Sequence, residues 1–376
     1  MSVVVAQRKA RLALFLPDLG GGGAERVALA LLQGFLDRGH PVDLVLAQRR
    51  GALLPLVPQD VDIIDLGAPK LRQVIGPLAR YLRQRRPQTL HAMMWPLPLI
   101  AVAARALARV DTRIIGSEHT TLSTMPHGLR HRVVRAITRF SYIRTNALVA
   151  VSVGVAEDLS TFIGVPRNRI TVIHNPLQLP AILPDRAIAA GRWPTGTKRI
   201  LAVGALKSEK NYPLLLRALA GVRERIPASL LILGDGPLRE ALEAQVTQDG
   251  LDDAVIFAGF DTNPWPYYAA ADLFVLSSDY EGFGNVLVEA LYAGLPVVST
   301  DCPNGPSEIL DGGRFGALAT CGDATLLASV MLDQLHSPPS DVATLRARAT
   351  ELAGTASLLE HLKLMTAFPL SSASSS

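Results

Sequence analysis

Between residues 271 and 296 a buried strand, a loop with two glycines and an apolar helix follow one another, and this order constrains the fold most strongly. Residues 271–278 predict the strand, and an apolar-periodic segment that begins near Asn285 predicts the helix. Gly282 and Gly284, which lie between the two segments, let the backbone approach a ligand closely. A helix that begins at Asn285 presents unpaired amides and a positive dipole end, so the stretch predicts a phosphate site.

The same alternation of apolar strands and helical patterns recurs along the 376 residues. It predicts an α/β fold with parallel sheets covered by helices on both faces, and the length suits two domains. Four prolines between residues 176 and 194 mark a linker. We therefore expect an N-terminal domain over 1–178, a linker over 179–196, a C-terminal domain over 197–355 and a disordered polar tail over 371–376.

Charge divides the chain into two unlike halves. Residues 1–180 contain 23 Lys and Arg against 11 Asp and Glu, whereas residues 181–376 contain 14 against 22. No acidic residue occurs between Asp65 and Asp111, where eight basic residues lie. The N-terminal half should therefore attract an anionic partner, which could be a lipid headgroup, a diphosphate or a nucleic acid.

Apolar segments are too short to cross a bilayer, which takes about 20 residues. The first ten residues place Arg8 and Lys9 after an apolar run, the reverse of a secretory signal, so we expect a cytoplasmic protein. Its two cysteines, Cys302 and Cys321, fit unpaired thiols in that compartment, although a disulfide is conceivable.

Residues 128–142 predict an amphipathic helix with an apolar stripe and arginines on the opposite side. Two interpretations stay open. The stripe could pack into the core beneath a solvated arginine face. Alternatively, the helix and the basic region before it could lie on the anionic inner surface of a membrane as a peripheral contact. The stripe comprises Leu129, Val133, Ile137 and Phe140.

Glu281 and Glu289 enclose Gly-Phe-Gly-Asn and are followed by Ala-Gly-Leu-Pro-Val-Val-Ser-Thr. This segment resembles the retaining nucleotide-sugar glycosyltransferases of family 4, in their bacterial form. The resemblance extends over nearly the whole chain. It implies the GT-B fold, in which two Rossmann-like domains face each other across a cleft and a last helix, here 356–370, packs back on the first domain. The implied activity is transfer of a sugar from a UDP- or GDP-sugar, with retention, to a lipid-linked or polysaccharide acceptor.

The resemblance also implies roles for individual residues. His119, Lys210 and Glu281 would be catalytic, with Lys210 on the leaving diphosphate and Glu289 on the ribose. Family members often carry an arginine where this chain has Ala205, and Lys207 is the candidate replacement. The remaining donor-binding residues would be Gly22, Gly23, Phe260, Phe283, Gly284, Asn285, Val286 and Leu287.

We expect no cofactor and no metal, because lysine and helix amides would meet the diphosphate. Asp60 and Asp62 have the spacing of a manganese motif, but they precede a strand far from the other motifs and predict a surface turn. A nicotinamide enzyme would need a third glycine after Gly23 and an acid where Gln48 stands. The alternatives are a nucleotide-sugar epimerase of related fold and a nucleic-acid-binding protein, although we expect a nucleotide-sugar and an anionic acceptor as partners and no nucleic acid.

Overall fold

The computed structural model describes residues 9–123, 129–337 and 341–367, without the side chains of residues 129–131. Its described part forms two compact units. The first contains residues 9–151, 155–176 and 355–367, and the second contains residues 152–154 and 177–354. The predicted tail at 371–376 lies outside the described residues.

Each unit is built on a parallel sheet, so the predicted α/β class with two Rossmann-like halves is confirmed. Elements of the first half are β1 (Leu12–Leu16), α1 (Gly23–Asp37), β2 (Val42–Leu46), β3 (Asp62–Asp65), α2 (Ile75–Arg85), β4 (Thr89–Met93), α3 (Leu97–Ala108), β5 (Arg113–Glu118), α4 (Leu129–Tyr142), β6 (Ala147–Ala150), α5 (Val153–Ile163) and β7 (Ile170–Val172). They form a seven-stranded sheet among the described residues, in the order β3-β2-β1-β4-β5-β6-β7.

The second half continues with α6 (Ala187–Ala190), β8 (Lys198–Val203), α7 (Tyr212–Arg223), β9 (Ala228–Leu233), α8 (Arg239–Gln248), β10 (Val255–Gly259), α9 (Trp265–Ala270), β11 (Leu273–Leu276), α10 (Asn285–Ala293), β12 (Val297–Thr300), α11 (Pro306–Ile309), β13 (Ala317–Ala319), α12 (Ala324–His336), α13 (Val342–Ala353) and α14 (Thr355–Thr366). Its sheet has the order β10-β9-β8-β11-β12-β13. Central strands such as β1, β9 and β11 are buried along their whole length, because helices cover both faces of a parallel sheet.

A short 3₁₀ turn at Leu71–Gln73 precedes α2, and Gly354 separates α13 from α14. For α4, the core interpretation of its apolar stripe is wrong, because Val133, Ile137 and Phe140 are 50%, 43% and 56% exposed. Periodicity reveals a stripe but not the side to which it faces.

Helix α14, although last in the chain, packs within the first unit against α1 and β4. Leu358 fills the space beside Gly34, where an added Cβ would lie 2.3 Å from its Cδ2. At the other end, the hydroxyl of Thr89 donates to the carbonyl of Met365 at 2.7 Å. Close packing and a buried polar contact thus fix the helix at both ends.

Three imidazoles are packed together where α14 meets the sheet. The rings of His91 in β4 and His361 in α14 have centroids 5.8 Å apart. Burial lowers the pKa of His361 to about 4. It also lowers the pKa of His119, directly after β5, to about 3, with a further contribution from His361. The pKa of His91 is lowered by burial and by both other rings. All three side chains are therefore neutral near pH 7.

We expect this cluster to make the protein acid-sensitive. Below pH 6.5 the unfolded chain binds protons that the buried imidazoles reject, so the free energy of unfolding should fall as the pH drops from 6.5 towards 4. His361→Gln should reduce that slope by up to about 1.4 kcal/mol per pH unit. Urea unfolding at several pH values measures the slope. Lys363→Gln, on an exposed position of the same helix, should leave it unchanged, and equal slopes for wild type and His361→Gln would contradict the expectation.

Candidate functional site

The central strand, glycine loop and helix are β11, residues 277–284 and α10. Gly284 is the N-cap of α10, and its φ of 102° lies in the left-handed region that favours glycine. Gly294 ends the helix with φ 81° in the same region. The glycines therefore set both ends of a short helix whose N-terminus adjoins the loop containing Glu281.

Lys210 and Glu281 form an ion pair at the carboxyl edge of the second sheet. Lys210 lies in a 3₁₀ turn after β8, and Glu281 follows β11, which pairs with β8. The Lys210 Nζ lies 2.6 Å from Glu281 Oε1, and Ser278 Oγ donates to the same oxygen at 2.7 Å. The Ser277 hydroxyl stabilises this turn by donating a hydrogen bond to the Lys210 carbonyl at 2.8 Å. The structure thus brings two predicted catalytic residues into direct contact.

This ion pair is largely withdrawn from water. The Lys210 and Glu281 side chains are 20% and 10% exposed. In such surroundings a charge is expensive to leave unpaired, so each partner holds the other in place while no ligand is bound. The Lys210 ammonium has three donors and the Glu281 carboxylate two oxygens, so the pair could also bond an anionic group through the lysine and hydroxyl groups through the carboxylate.

The loop that contains Glu281 is supported by segments from two sides. The amide of Asp279 donates to the Glu209 carbonyl at 2.9 Å. On the other side, the amide of Glu281 donates to the Pro303 carbonyl at 3.2 Å. Gly305, in the same segment as Pro303, approaches Phe283 so closely that an added Cβ would lie 1.8 Å from its carbonyl oxygen. The position of Glu281 therefore depends on both neighbouring loops.

Glu289 is held by a tyrosine that the sequence did not single out for function. It is 7% exposed, and the hydroxyl of Tyr268 donates to its Oε2 at 2.8 Å. Tyr268 itself is fully buried, with its ring centroid 5.7 Å from those of both Trp265 and Phe274. The Tyr268 ring is therefore a packed core side chain, and its hydroxyl also orients Glu289, the residue predicted to bind the ribose.

Other predicted donor-binding residues lie along the same sheet edge. Lys207 is exposed and has no carboxylate partner in the described part of the chain, whereas Phe260, directly after β10, is 40% exposed. The Phe283 side chain is buried, so only its backbone could face a sugar. The Leu287 amide donates to the Gly284 carbonyl at 2.9 Å, so its predicted role in donor binding stays a prediction. Asn285 and Val286 occupy the first turn of α10.

The predicted residues of the first unit are His119, Gly22 and Gly23. His119 Nε2 lies 3.0 Å from Ser117 Oγ, and its Nδ1 is buried without a hydrogen-bond partner among the described residues. Gly22 caps α1, and its Cα faces the carboxylate of Glu25 so closely that an added Cβ would lie 2.5 Å from Oε2. A carboxylate thus already lies at this helix end, and any phosphate would compete with it.

The Asp60 and Asp62 motif lies on the surface of the first unit. Asp62 bonds to Arg85 at 2.8 Å and to Arg11 at 3.3 Å, as a surface carboxylate does. Residues 9–123, 129–337 and 341–367 contain no group of three potential ligands that could hold a metal ion. Over the same residues no helix has the length and apolarity to span a bilayer. A cavity of about 300 Å³, lined in part by Arg186, Lys198 and Asp272, lies at the amino ends of β8 and β11, away from the Lys210 pair.

Gly305→Ala tests the support of the Glu281 loop. Gly305 has φ 100°, and a methyl group there would meet a backbone oxygen that cannot easily move. Gly313 has φ 105° but nothing within 4 Å of an added Cβ, so Gly313→Ala is the matched control for backbone strain alone. We expect Gly305→Ala to lower the free energy of unfolding by about 1–3 kcal/mol more than Gly313→Ala. Urea unfolding of both variants measures the difference, and equal losses would contradict it.

Comparison with known proteins agrees with this geometry. Residues 185–352 match the family model described as Glycosyl transferases group 1, and residues 21–179 match that of Glycosyltransferase Family 4. Over 324 residues, 82% of this chain and 85% of the relative, the chain is 29% identical to the N-acetylgalactosamine-N,N'-diacetylbacillosaminyl-diphospho-undecaprenol 4-alpha-N-acetylgalactosaminyltransferase of Campylobacter jejuni. It is also 30% identical to the lipopolysaccharide core biosynthesis glycosyltransferase LpsE of Rhizobium meliloti. This match extends over 312 residues, which are 81% of this chain and 82% of LpsE.

A solved structure has the same fold as this chain. HepE from Anabaena, in complex with UDP and glucose, superposes with a TM-score of 0.80 at 20% identity, over 95% of this chain and 99% of HepE. This likeness confirms the predicted GT-B fold. With matches that together extend from residue 21 to residue 352, the chain belongs to the group 1 glycosyltransferases.

Proposed function

We propose that this glycosyltransferase moves a sugar from a UDP- or GDP-sugar to an acceptor with retention of the anomeric configuration. The contact between Lys210 and Glu281 carries the proposal. It joins a cation suited to a leaving diphosphate with a carboxylate suited to sugar hydroxyls, directly beside the N-terminus of α10. HepE, whose structure contains UDP and glucose, supports a nucleotide-sugar donor.

In this proposal the bond between the anomeric carbon and the β-phosphate oxygen breaks first. Lys210 stabilises the negative charge that develops on the diphosphate, and Lys207 supplies a second cation in place of the arginine missing at Ala205. The acceptor oxygen then bonds to the anomeric carbon from the side of the departing phosphate. That phosphate takes the acceptor proton, so charge and configuration are both accounted for without a metal ion or a cofactor.

The carboxylates and the histidine have separate tasks in the proposal. Glu289, oriented by Tyr268, accepts hydrogen bonds from the ribose hydroxyls. Glu281 and the backbone of Phe283 and Gly284 hold the donor sugar. His119 acts as a neutral imidazole near the reacting carbon, because its lowered pKa of about 3 keeps it uncharged. To reach a sugar its ring must turn away from Ser117.

For the acceptor we propose a lipid-linked or polysaccharide intermediate at the cytoplasmic face of a membrane. The Campylobacter jejuni relative is named for a diphospho-undecaprenol acceptor, and LpsE is named for lipopolysaccharide core biosynthesis. The excess of basic residues in the N-terminal half is suited to an acceptor that carries phosphate groups.

Lys210→Ala and Glu281→Ala should each lower kcat by roughly 10²–10³, the effect of removing one group that stabilises transition-state charge. Lys198→Ala removes an exposed lysine at the amino end of β8 and is the matched control. The assay first identifies the donor by the rise in melting temperature with UDP- and GDP-sugars, and then follows transfer in the presence of a chelator. Wild-type rates in both variants would refute the assigned roles, and an epimerised free nucleotide-sugar as product would indicate the epimerase instead.

A peripheral membrane contact is proposed for α4. Val133, Ile137 and Phe140 follow one another at intervals of four and three residues, so they form one exposed stripe along the helix. Thr138 and Ser141, on a neighbouring side of the helix, are buried instead. An apolar face turned outward is typical of a helix that lies in a lipid interface.

Basic side chains are exposed on α4 and on a nearby helix of the same unit. Arg132 and Arg135 are exposed on α4 itself, and the guanidinium carbon of Arg144 lies 3.5 Å from the centre of the Phe140 ring. Helix α4 packs on α3, which packs on α2, where Arg80 and Arg83 are exposed. Each such residue near an anionic surface contributes about 1 kcal/mol, so an anionic bilayer matches both the apolar stripe and its charge.

Ile137→Glu together with Phe140→Glu should abolish most binding to vesicles that contain phosphatidylglycerol. Leu326→Glu, at an exposed leucine of α12 in the other unit, should leave binding unchanged. Co-sedimentation at low and high salt measures both variants, and melting temperatures establish that they are folded. Equal binding by wild type and the double variant, or no preference for anionic over neutral lipid, would contradict the proposed contact.

A further inference from the structure

Two cysteines each follow one of a pair of neighbouring strands, two residues beyond the strand end. Strands β12 and β13 are parallel, with Val298 opposite Ala317 and Thr300 opposite Ala319. The pairing continues past the strand ends, because the amide of Asp301 donates to the Ala319 carbonyl at 2.7 Å. Carried two residues further, the same register sets Cys302 opposite Cys321.

This register gives a separation that a disulfide can bridge. Neighbouring strands lie roughly 4.8 Å apart, and disulfides join residues whose Cα atoms are about 4.4–6.8 Å apart. The Thr300 hydroxyl lowers the pKa of both thiols, and Cys321 raises the pKa of the Cys302 thiol, so both thiols lie near Thr300.

We propose that Cys302 and Cys321 form a site of thiol–disulfide exchange, which closes to an intramolecular disulfide when the protein meets a low-molecular-weight disulfide. Cys321 is the more exposed thiol and reacts first. Its thiolate attacks one sulfur of oxidised glutathione, and one glutathione thiolate leaves. The Cys302 thiolate then attacks Cys321 Sγ and releases the second glutathione, so that two protein thiols are oxidised and one glutathione disulfide is reduced.

The surroundings keep this exchange slow near neutral pH. Burial, and then Glu281, raise the pKa of the Cys302 thiol to about 12, although Lys210 and Thr300 oppose the shift. Burial, Asp279 and Asp301 raise the pKa of Cys321, with Thr300 again opposing. Because thiolates are the reacting species, the rate should increase as the pH rises.

The pair is connected to the Glu281 loop. Thr300 Oγ1 donates to the Ser278 carbonyl at 2.6 Å, and Ser278 Oγ in turn bonds Glu281. Pro303, one residue after Cys302, accepts the Glu281 amide. Closing the disulfide therefore fixes the segment that supports Glu281. This inference rests on the proposed function, under which the redox state of the thiols would change the position of a donor-binding residue.

The experiment incubates the reduced full chain with oxidised glutathione and reads the mass, which does not depend on transferase activity. We expect a monomer lighter by two hydrogens and restored by dithiothreitol. Trypsin cuts at Arg239, Arg314 and Arg346 but not between residues 240 and 313, so the disulfide would join the fragments 240–314 and 315–346. Because the chain has two cysteines, this linkage is the single possible intramolecular disulfide.

Cys302→Ser and Cys321→Ser are the controls, and each should give at most a glutathione adduct. Melting temperatures of both variants and of wild type establish that all three are folded. If wild type yields only glutathione adducts, disulfide-linked dimers or unchanged protein at equilibrium, including at pH 9, the proposal is overturned.

Discussion

The ion pair between Lys210 and Glu281 is the contact on which the candidate site depends. Its two side chains come from segments that follow β8 and β11, and the pairing of these strands decides that they meet. Ser278 adds a second bond to the carboxylate oxygen that faces the ammonium. Loss of either charge would leave the other largely buried and unpaired. Such a change destabilises a protein more than replacing both partners by apolar side chains. The ion pair thus holds the loop that contains Lys210 and the loop that contains Glu281 in one relative position.

Such a pair also balances the charge of its surroundings. Because Glu281 neutralises Lys210, no net charge has to be kept in partly buried surroundings. In the proposed complex a diphosphate would bond the lysine, and the carboxylate would accept bonds from neutral hydroxyl groups. The same two residues can therefore serve the resting protein and the proposed complex, which separate residues could do only with unpaired charges in one of the two states.

Sequence reasoning predicted the α/β class from the alternation of elements, and family resemblance pointed to Lys210 and Glu281. It missed Tyr268, whose hydroxyl orients a glutamate but whose aromatic neighbours predict only packing. It also missed Ser278, because a serine after a strand carries no distinctive spacing. The sequence also did not predict the direction in which the α4 stripe faces, because a pattern along one helix contains no information about the elements packed against it.

Helix α14 has a consequence for the order in which the protein matures. The second unit consists almost entirely of the continuous segment 177–354, whereas the first needs residues 355–367 to cover Gly34 and to bond Thr89. During synthesis the N-terminal half leaves the ribosome first, yet part of its surface waits for residues 355–367. The unit that is made first is therefore completed only after the second unit, and until then the Thr89 hydroxyl lacks its partner in α14.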